Sequence, residues 1–234
     1  SHVAGLIGGS GKASGGRYQG MAPECSFIVL KILDHQGNGR KQDVLKAIAW
    51  VRKMRVRYNI RILNISVGTT EQEKTLHDLL IEAVDEAWDD GLVVVTAAGN
   101  LGPGSGTVTA PGSSRKVITV GSSDDSLKIW GNRRLPSHYS GRGPTRSCVM
   151  KPDVVAPGTN IYSCSLHNRY AVKSGTSMAT PVVSGAMALL LEKYPYYTNK
   201  DAKKKLKFNC DQLNTPRSHQ GWGRINVQKL LELP

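Results

Sequence analysis

Ile60-Arg61-Ile62-Leu63-Asn64-Ile65-Ser66-Val67 decides the fold. It is an apolar run of strand length, and what flanks it repeats the same alternation. Upstream, Val44, Ala47, Ile48 and Val51 recur at helical spacing and predict a helix over 42–58. Downstream, Leu76, Leu79, Leu80, Ala83, Val84 and Ala87 mark a second amphipathic helix, which Gly91 ends. Leu92 to Ala97 and Lys116 to Gly121 read as further strands. Ser26-Phe27-Ile28-Val29-Leu30-Lys31-Ile32-Leu33, earlier in the chain, reads as a buried parallel strand. Strand–helix–strand order with runs this apolar predicts an α/β fold with a parallel sheet and right-handed crossovers.

Away from this middle the elements are shorter. His2 opens a small-residue helix to about Gly9, and 10–20 form a Gly/Ser loop. Pro136, Pro144, Pro152 and Pro157 punctuate loops and small strands after residue 122. A long helix is expected over 177–194. Another begins near Asn199, capped by Thr198 or by Asn199 itself. Its lysines, Lys200, Lys203, Lys204, Lys205 and Lys207, read as a solvated face.

With 234 residues, 39% of them apolar and 21% charged, the chain can bury a sizeable core as one large domain or two small ones. No apolar run has membrane-spanning length, so no membrane partner is expected. A net charge of +13 raises the question of nucleic acid. The basic residues are scattered over 52–61, 133–146 and 200–207 without a base-stacking platform, so no nucleic acid is expected. Cys25, Cys148, Cys164 and Cys210 form no C-x-x-C pair, which argues against zinc. A Cys148–Cys164 disulfide and four free thiols both stay open. Free thiols are the commoner state and lean toward a reducing, cytoplasmic compartment.

Lys173-Ser174-Gly175-Thr176-Ser177-Met178-Ala179-Thr180-Pro181 sets a hydroxyl where a small-residue turn enters an apolar helix. Orphan N–H groups and the positive dipole end there favour developing negative charge. Pro181 is expected within the first turn, where a missing N–H costs least. Taken alone, Ser177 is as readily an N-cap as a nucleophile for acyl transfer. Asn100 follows a strand at Ala97-Ala98-Gly99-Asn100, so its carboxamide would project past the sheet's carboxyl edge, where α/β sites gather. A turn asparagine is the plain alternative. His2 has the chemistry of a general base. A lone histidine is usually structural or exposed, and His35, His77, His138, His167 and His219 keep that reading.

Three segments resemble, in order, motifs of the subtilisin family of serine proteases. Ser1-His2-Val3-Ala4-Gly5 resembles the end of its histidine motif, Val94-Val95-Thr96-Ala97-Ala98-Gly99-Asn100 its oxyanion-asparagine motif, and Gly175-Thr176-Ser177-Met178-Ala179-Thr180-Pro181 its nucleophile motif. Gly221-Trp222-Gly223-Arg224-Ile225-Asn226 is similar to the end of the family's domain, so the resemblance runs from His2 to about Val227. It implies a three-layer sandwich with a mostly parallel central sheet flanked by helices. It also implies one peptidase domain over 1–234 that is N-terminally incomplete, and a serine endopeptidase acting on peptide or protein substrates. Ser177 is implied as nucleophile, His2 as base, and Asn100 as oxyanion donor beside the Ser177 backbone N–H. Ser66, Val67 and Gly68 are implied to pair with extended substrate. Ala97, Ala98 and Gly99 are implied as one wall of the primary specificity pocket, and Thr109 as its floor. Many subtilases have glycine at that floor. A β-branched residue should shorten the pocket and favour medium-sized over large aromatic P1 side chains.

Two departures stand out. Val182 occupies a position where many members have histidine, and is expected to pack behind the nucleophile. The family's triad aspartate lies upstream of its histidine, so it is expected on an N-terminal fragment outside this sequence. Asp34, Asp124, Asp125 and Asp153 lie in no matching motif. Without the carboxylate the His2 tautomer is not fixed, and this chain by itself is expected to be weakly active or inactive. No cofactor is expected. Many subtilases bind structural calcium, but no acidic cluster of recognisable loop spacing is present and no metal ligand is assigned. A non-catalytic subtilase-like scaffold is the alternative, against which the joint presence of His2, Asn100 and Ser177 argues. A basic nucleic-acid-binding protein comes third and would show strongly salt-dependent DNA retention.

Overall fold

A computed structural model describes residues 1–34, 39–69, 74–130 and 135–232, without the side chains of 41 and 74–77. His35 and the side chains of Leu76 and His77 therefore lie outside the described residues. The chain opens with α1 (His2–Gly8), and one 3-10 turn, Lys12–Ser14, interrupts the glycine-rich loop after it. Helix α2 (Lys41–Met54) stops short of the expected residue 58. Asn59 takes φ 48° there, and the Ile60 N–H closes on the Arg55 carbonyl at 2.8 Å, turning the chain into β1 (Ile62–Ile65). Asparagine tolerates the left-handed region better than most residues.

Helix α3 (Lys74–Asp89) gives way through Gly91, at φ 92°, to β2 (Val93–Ala97). Then come β3 (Ile118–Ser122), β4 (Val154–Ala156), β5 (Ile161–Cys164), β6 (Tyr170–Lys173), α4 (Thr176–Lys193) and α5 (Asn199–Phe208). The chain closes with β7 (Cys210–Asp211), α6 (Arg217–Gln220), β8 (Arg224–Ile225) and α7 (Val227–Leu231). Thr198 caps α5 in a reciprocal box with Asp201.

The sheet runs β1-β2-β3-β4-β8-β7, parallel except for the β7–β8 pair. Ile62 pairs with Val93 and Val95 with Ile118, so the apolar runs lie side by side, and every residue of β2, β3 and β4 is buried. Helix α4 lies along β1 to β4, with α1 against it, while α3 packs on β2 and on α2. This is the three-layer α/β sandwich that the alternation and the resemblance indicate. Strands β5 and β6 form a separate antiparallel hairpin. No helix among the described residues is long and apolar enough to cross a membrane.

The strand expected at Ser26–Leu33 is not in the sheet. Among the described residues the segment has no ladder partner, and Phe27, Ile28 and Val29 are exposed, Val29 at 74%. Apolarity alone does not make a strand, because a neighbour must supply the backbone hydrogen bonds. Among the described residues the outer edge of β1, the last strand on that side, bonds to no strand. All four cysteines are free, so the Cys148–Cys164 disulfide is not formed, and Cys148 is exposed.

Below the sheet's amino end a charged pair is buried. Lys151 Nζ donates to Asp153 Oδ2 at 2.5 Å and to the Val117 carbonyl at 3.0 Å. The same carboxylate oxygen accepts from the Thr119 N–H at 2.8 Å. The pair thus ties the entry of β4 to β3.

Candidate active site

Ser177 is the second residue of α4 and not its cap. Gly175 holds the N-cap position, at φ 142°, with no side-chain cap. The Ser177 hydroxyl donates to the Ser66 carbonyl at 2.8 Å, just past the carboxyl end of β1. Pro181 lies in the second turn, not the first as expected. Its missing N–H leaves the Ser177 carbonyl without its i+4 donor.

Asn100 follows β2 by three residues. Its Oδ1 accepts from the Thr176 N–H and the Thr176 hydroxyl, both at 3.0 Å. Thr176 Oγ1 in turn accepts from the Gly99 N–H at 3.2 Å. With Oδ1 fixed this way the carboxamide cannot flip, and Nδ2 is left as its donor. A Cβ at Gly175 would stand 3.3 Å from that nitrogen, so the turn into α4 passes close against it.

Two backbone walls lie beside these groups, Ser66–Gly68 and Ala97–Gly99, and the 107–110 segment joins them. The Thr109 N–H donates to the Ala98 carbonyl at 3.0 Å, and the Thr69 N–H to the Ala110 carbonyl at 3.1 Å. Thr109 is buried, and a Cβ at Gly68 would lie 2.7 Å from its Oγ1. A Cβ at Gly99 would collide with the same side chain. Thr109 therefore fills the space between the walls, and both glycines are needed for the close approach. Val182 packs against the core.

His2 stands apart from this group. It is buried at the start of α1, which packs closely on β5: the Ser163 hydroxyl donates to the His2 carbonyl at 2.9 Å. His2 Nε2 lies 3.1 Å from the Ile161 carbonyl and 3.0 Å from the Ala171 carbonyl. Carbonyls only accept, so Nε2 carries the proton. Nδ1 is buried with no partner among the described residues. Burial lowers the imidazole pKa below its ordinary value, against the pull of the two carbonyls, and Lys173 and the N-terminal charge push the same way as burial. No hydrogen bond joins His2 to Ser177 among the described residues. The structure thus brings Ser177, Asn100 and the Ser66–Gly68 and Ala97–Gly99 segments together and parks His2 against the β5–β6 hairpin, whose second strand leads straight into the Ser174–Ser177 turn.

Three of the aspartates are engaged elsewhere. Asp124 accepts from the Ser122 hydroxyl and the Gly158 N–H at 2.8 Å each. Asp125 accepts from the Ser140 N–H at 3.1 Å and faces His219 Nε2 at 3.3 Å and Arg142 at 3.7 Å. Asp153 holds Lys151. No group of three or more His, Cys, Asp or Glu side chains gathers at metal-binding spacing among the described residues. Sequence reasoning assigned no role to Thr176, although its place between glycine and serine was the available signal. The carbonyls that hold His2 had none, since backbone acceptors carry no side-chain signature.

Fold and placement define the class first. This is a parallel-sheet α/β protein with a helix-borne serine hydroxyl and an oriented carboxamide beyond the carboxyl ends of its strands. The chain belongs to the subtilase family, whose sequence model matches residues 1–223. It is similar to serine protease AprX of Bacillus subtilis (strain 168), 38% identical over 252 residues that cover 97% of this chain and 56% of the relative. Subtilisin E of the same organism is 34% identical, over 97% of this chain and 54% of the relative. The chain spans about half the length of these curated relatives. Among solved structures, S41 psychrophilic protease and Sphericase each match at a TM-score of 0.82, with 29% and 27% identity, over 97% of this chain and 77% of theirs.

Proposed function

We propose that this chain forms the larger part of a serine endopeptidase. The observation that carries the reading is the double anchoring of Asn100 Oδ1 by Thr176, which leaves Nδ2 as a donor one residue from the nucleophile candidate. In this reading Ser177 Oγ attacks the scissile carbonyl carbon and its proton passes to His2. The oxyanion is held by Asn100 Nδ2 and the Ser177 N–H, an orphan of the helix's first turn. The imidazolium gives its proton to the leaving amine, and water, activated by the same ring, releases the acyl group. The pocket between Ser66–Gly68 and Ala97–Gly99 takes the P1 side chain, with Thr109 limiting its depth.

Proton transfer requires His2 to leave the carbonyls of Ile161 and Ala171. We infer that a carboxylate outside this sequence does this, carried on an added strand along the free edge of β1. Two observations support it: the buried, unpartnered Nδ1 and the apolar but unpaired Ser26–Leu33 segment. A fluorophosphonate probe applied to the full-length protein tests the whole reading. Labelling should map to Ser177, vanish in Ser177→Ala and slow greatly in His2→Ala. A labelled protein that is indifferent to Ser177→Ala, or no labelling at all, would sink it.

A further inference from the structure

At the pole opposite the candidate site, α5 borders a groove of about 500 Å3. The placement follows from Lys203, whose Nζ donates to the carbonyls of Arg115, Lys116 and Val117 at 3.2, 2.7 and 2.9 Å. Those residues precede β3, whereas Ser177 and Asn100 lie beyond the strands' carboxyl ends. Lysines from α5 and Lys116 line the groove together with Trp88, Trp222 and Phe208, and none of its lining residues is acidic.

Two of these cations are already committed, and a third, Lys207, lies 5.6 Å from the Phe208 ring. Lys203 sits 5.4 Å from the Trp88 ring and 5.9 Å from the Trp222 ring, as part of the floor, and Lys116 pairs with Asp89 at 2.6 Å. Lys200, Lys204 and Lys207 are exposed and make no ion pair among the described residues. Their i, i+4, i+7 spacing sets them in one stripe along the helix, where like charges repel. Asp201, the acid within α5, is held by the Thr198 N–H at 2.9 Å and the Thr198 hydroxyl at 2.6 Å. Beside the stripe, Phe208 is 68% exposed. A merely solvated lysine face needs neither a concave surface nor an aromatic wall.

We propose that this groove docks an acidic polypeptide segment bearing an apolar side chain, carried by a partner protein. Carboxylates would pair with the free lysines, and the apolar side chain would lie on Phe208. The stripe from Lys200 to Lys207 is about 10 Å long, the span of about three residues of extended peptide. Nucleic acid fits less well. Trp88 is 5% exposed and Lys203 lies over both the Trp88 and Trp222 rings, so Phe208 is the one exposed ring of the groove and no platform for successive stacked bases runs along it.

The test uses the full-length protein carrying Ser177→Ala, so it does not depend on the peptidase reading. A fluorescent glutamate-rich peptide with one central leucine is titrated by anisotropy, beside its glutamine counterpart, a short DNA duplex and phosphatidylserine vesicles. The acidic peptide should bind and weaken with salt, and the glutamine peptide should not bind. Lys200→Glu/Lys204→Glu/Lys207→Glu should weaken the acidic peptide about tenfold or more, and the triple Lys→Gln variant should weaken it less, both with unchanged unfolding midpoints. Should the charge-reversed protein fail to fold, the Lys→Gln variant decides alone. No binding of the acidic peptide, binding that ignores both triple variants, or tighter retention of DNA or vesicles would each overturn the proposal.

Discussion

Replacing Asp153 by alanine should destabilise this fold more than most single changes. Lys151 is 1% exposed, and its ammonium has two partners, the Asp153 carboxylate at 2.5 Å and the Val117 carbonyl at 3.0 Å. The substitution leaves that charge buried with one carbonyl and takes the acceptor from the Thr119 N–H. Removing one member of a buried pair costs about 3–5 kcal/mol. For a chain of this size each kcal/mol moves Tm by about 2–4 °C, so a drop of roughly 6–20 °C is expected. Asp153→Asn keeps an oxygen for Thr119 and should lose less. The pair Lys151→Met/Asp153→Leu removes the stranded Lys151 charge and should recover part of the alanine loss; the rest remains because the Thr119 N–H still lacks its acceptor and Lys203 Nζ, 3.8 Å from Asp153, loses its carboxylate. Thermal unfolding followed by circular dichroism, in a Ser177→Ala background to prevent self-digestion, reads all three. If the double variant melts no higher than Asp153→Ala, the stranded charge is not the cause and the reasoning fails.

Three further outcomes can be checked on the full-length protein. Thr109→Gly should deepen the pocket and raise the Phe-to-Leu ratio of kcat/KM in a P1 library by about tenfold; an unchanged ratio would mean that Thr109 is not the floor. Asn100→Ala should lower kcat by about 10²–10³ with little change in KM, a magnitude measured on subtilisin, a member of this family; a rise in KM alone would assign Asn100 to ground-state binding. At Asp125, burial raises the carboxyl pKa, but His219, the Ser140 N–H and Arg142 outweigh it and the net shift is downward. That stabilisation is fully present above the unfolded-state value of about 3.9 and is lost as pH falls through the lower folded value. The Tm deficit of Asp125→Asn should therefore shrink in acid, and a deficit unchanged down to pH about 2 would contradict the assignment.

How much of this was legible in the sequence depends on what each feature is made of. The β1–α3–β2 alternation was readable because side-chain apolarity and period both report it. Ser66–Gly68 and Ala97–Gly99 were singled out by the family resemblance alone, since small residues at a strand end have many uses. Ser26–Leu33 was misread for an instructive reason: its composition suits a buried strand, but strand formation needs a neighbour, and composition does not say whether one is there. The end of α2 was missed because it hangs on the φ of Asn59, not on any break in the apolar pattern. Pro181 was placed one turn early because Ser177 was read as a possible cap, whereas the helix starts at Thr176. The groove along α5 was invisible, since lysines in a stripe look the same whether they face bulk water or the aromatic walls of Trp88, Trp222 and Phe208.

The parked imidazole and the unpaired segment have one explanation in common, and it can be tested directly. While Nδ1 faces no acceptor among the described residues, the proton belongs on Nε2, where two carbonyls take it. A carboxylate brought to Nδ1 reverses the preference: the proton moves to Nδ1, Nε2 becomes an acceptor, and both carbonyl contacts turn from attractive to repulsive. The ring is then released toward Ser177 by electrostatics alone. A strand seated on the free edge of β1 would deliver that carboxylate and restore a ladder at the open side of the sheet. Adding a fragment that carries an apolar strand ending in aspartate should therefore raise fluorophosphonate labelling of this chain, and the same fragment with asparagine should bind but leave labelling low. Equal labelling with both fragments would show that the strand, not the charge, frees the histidine.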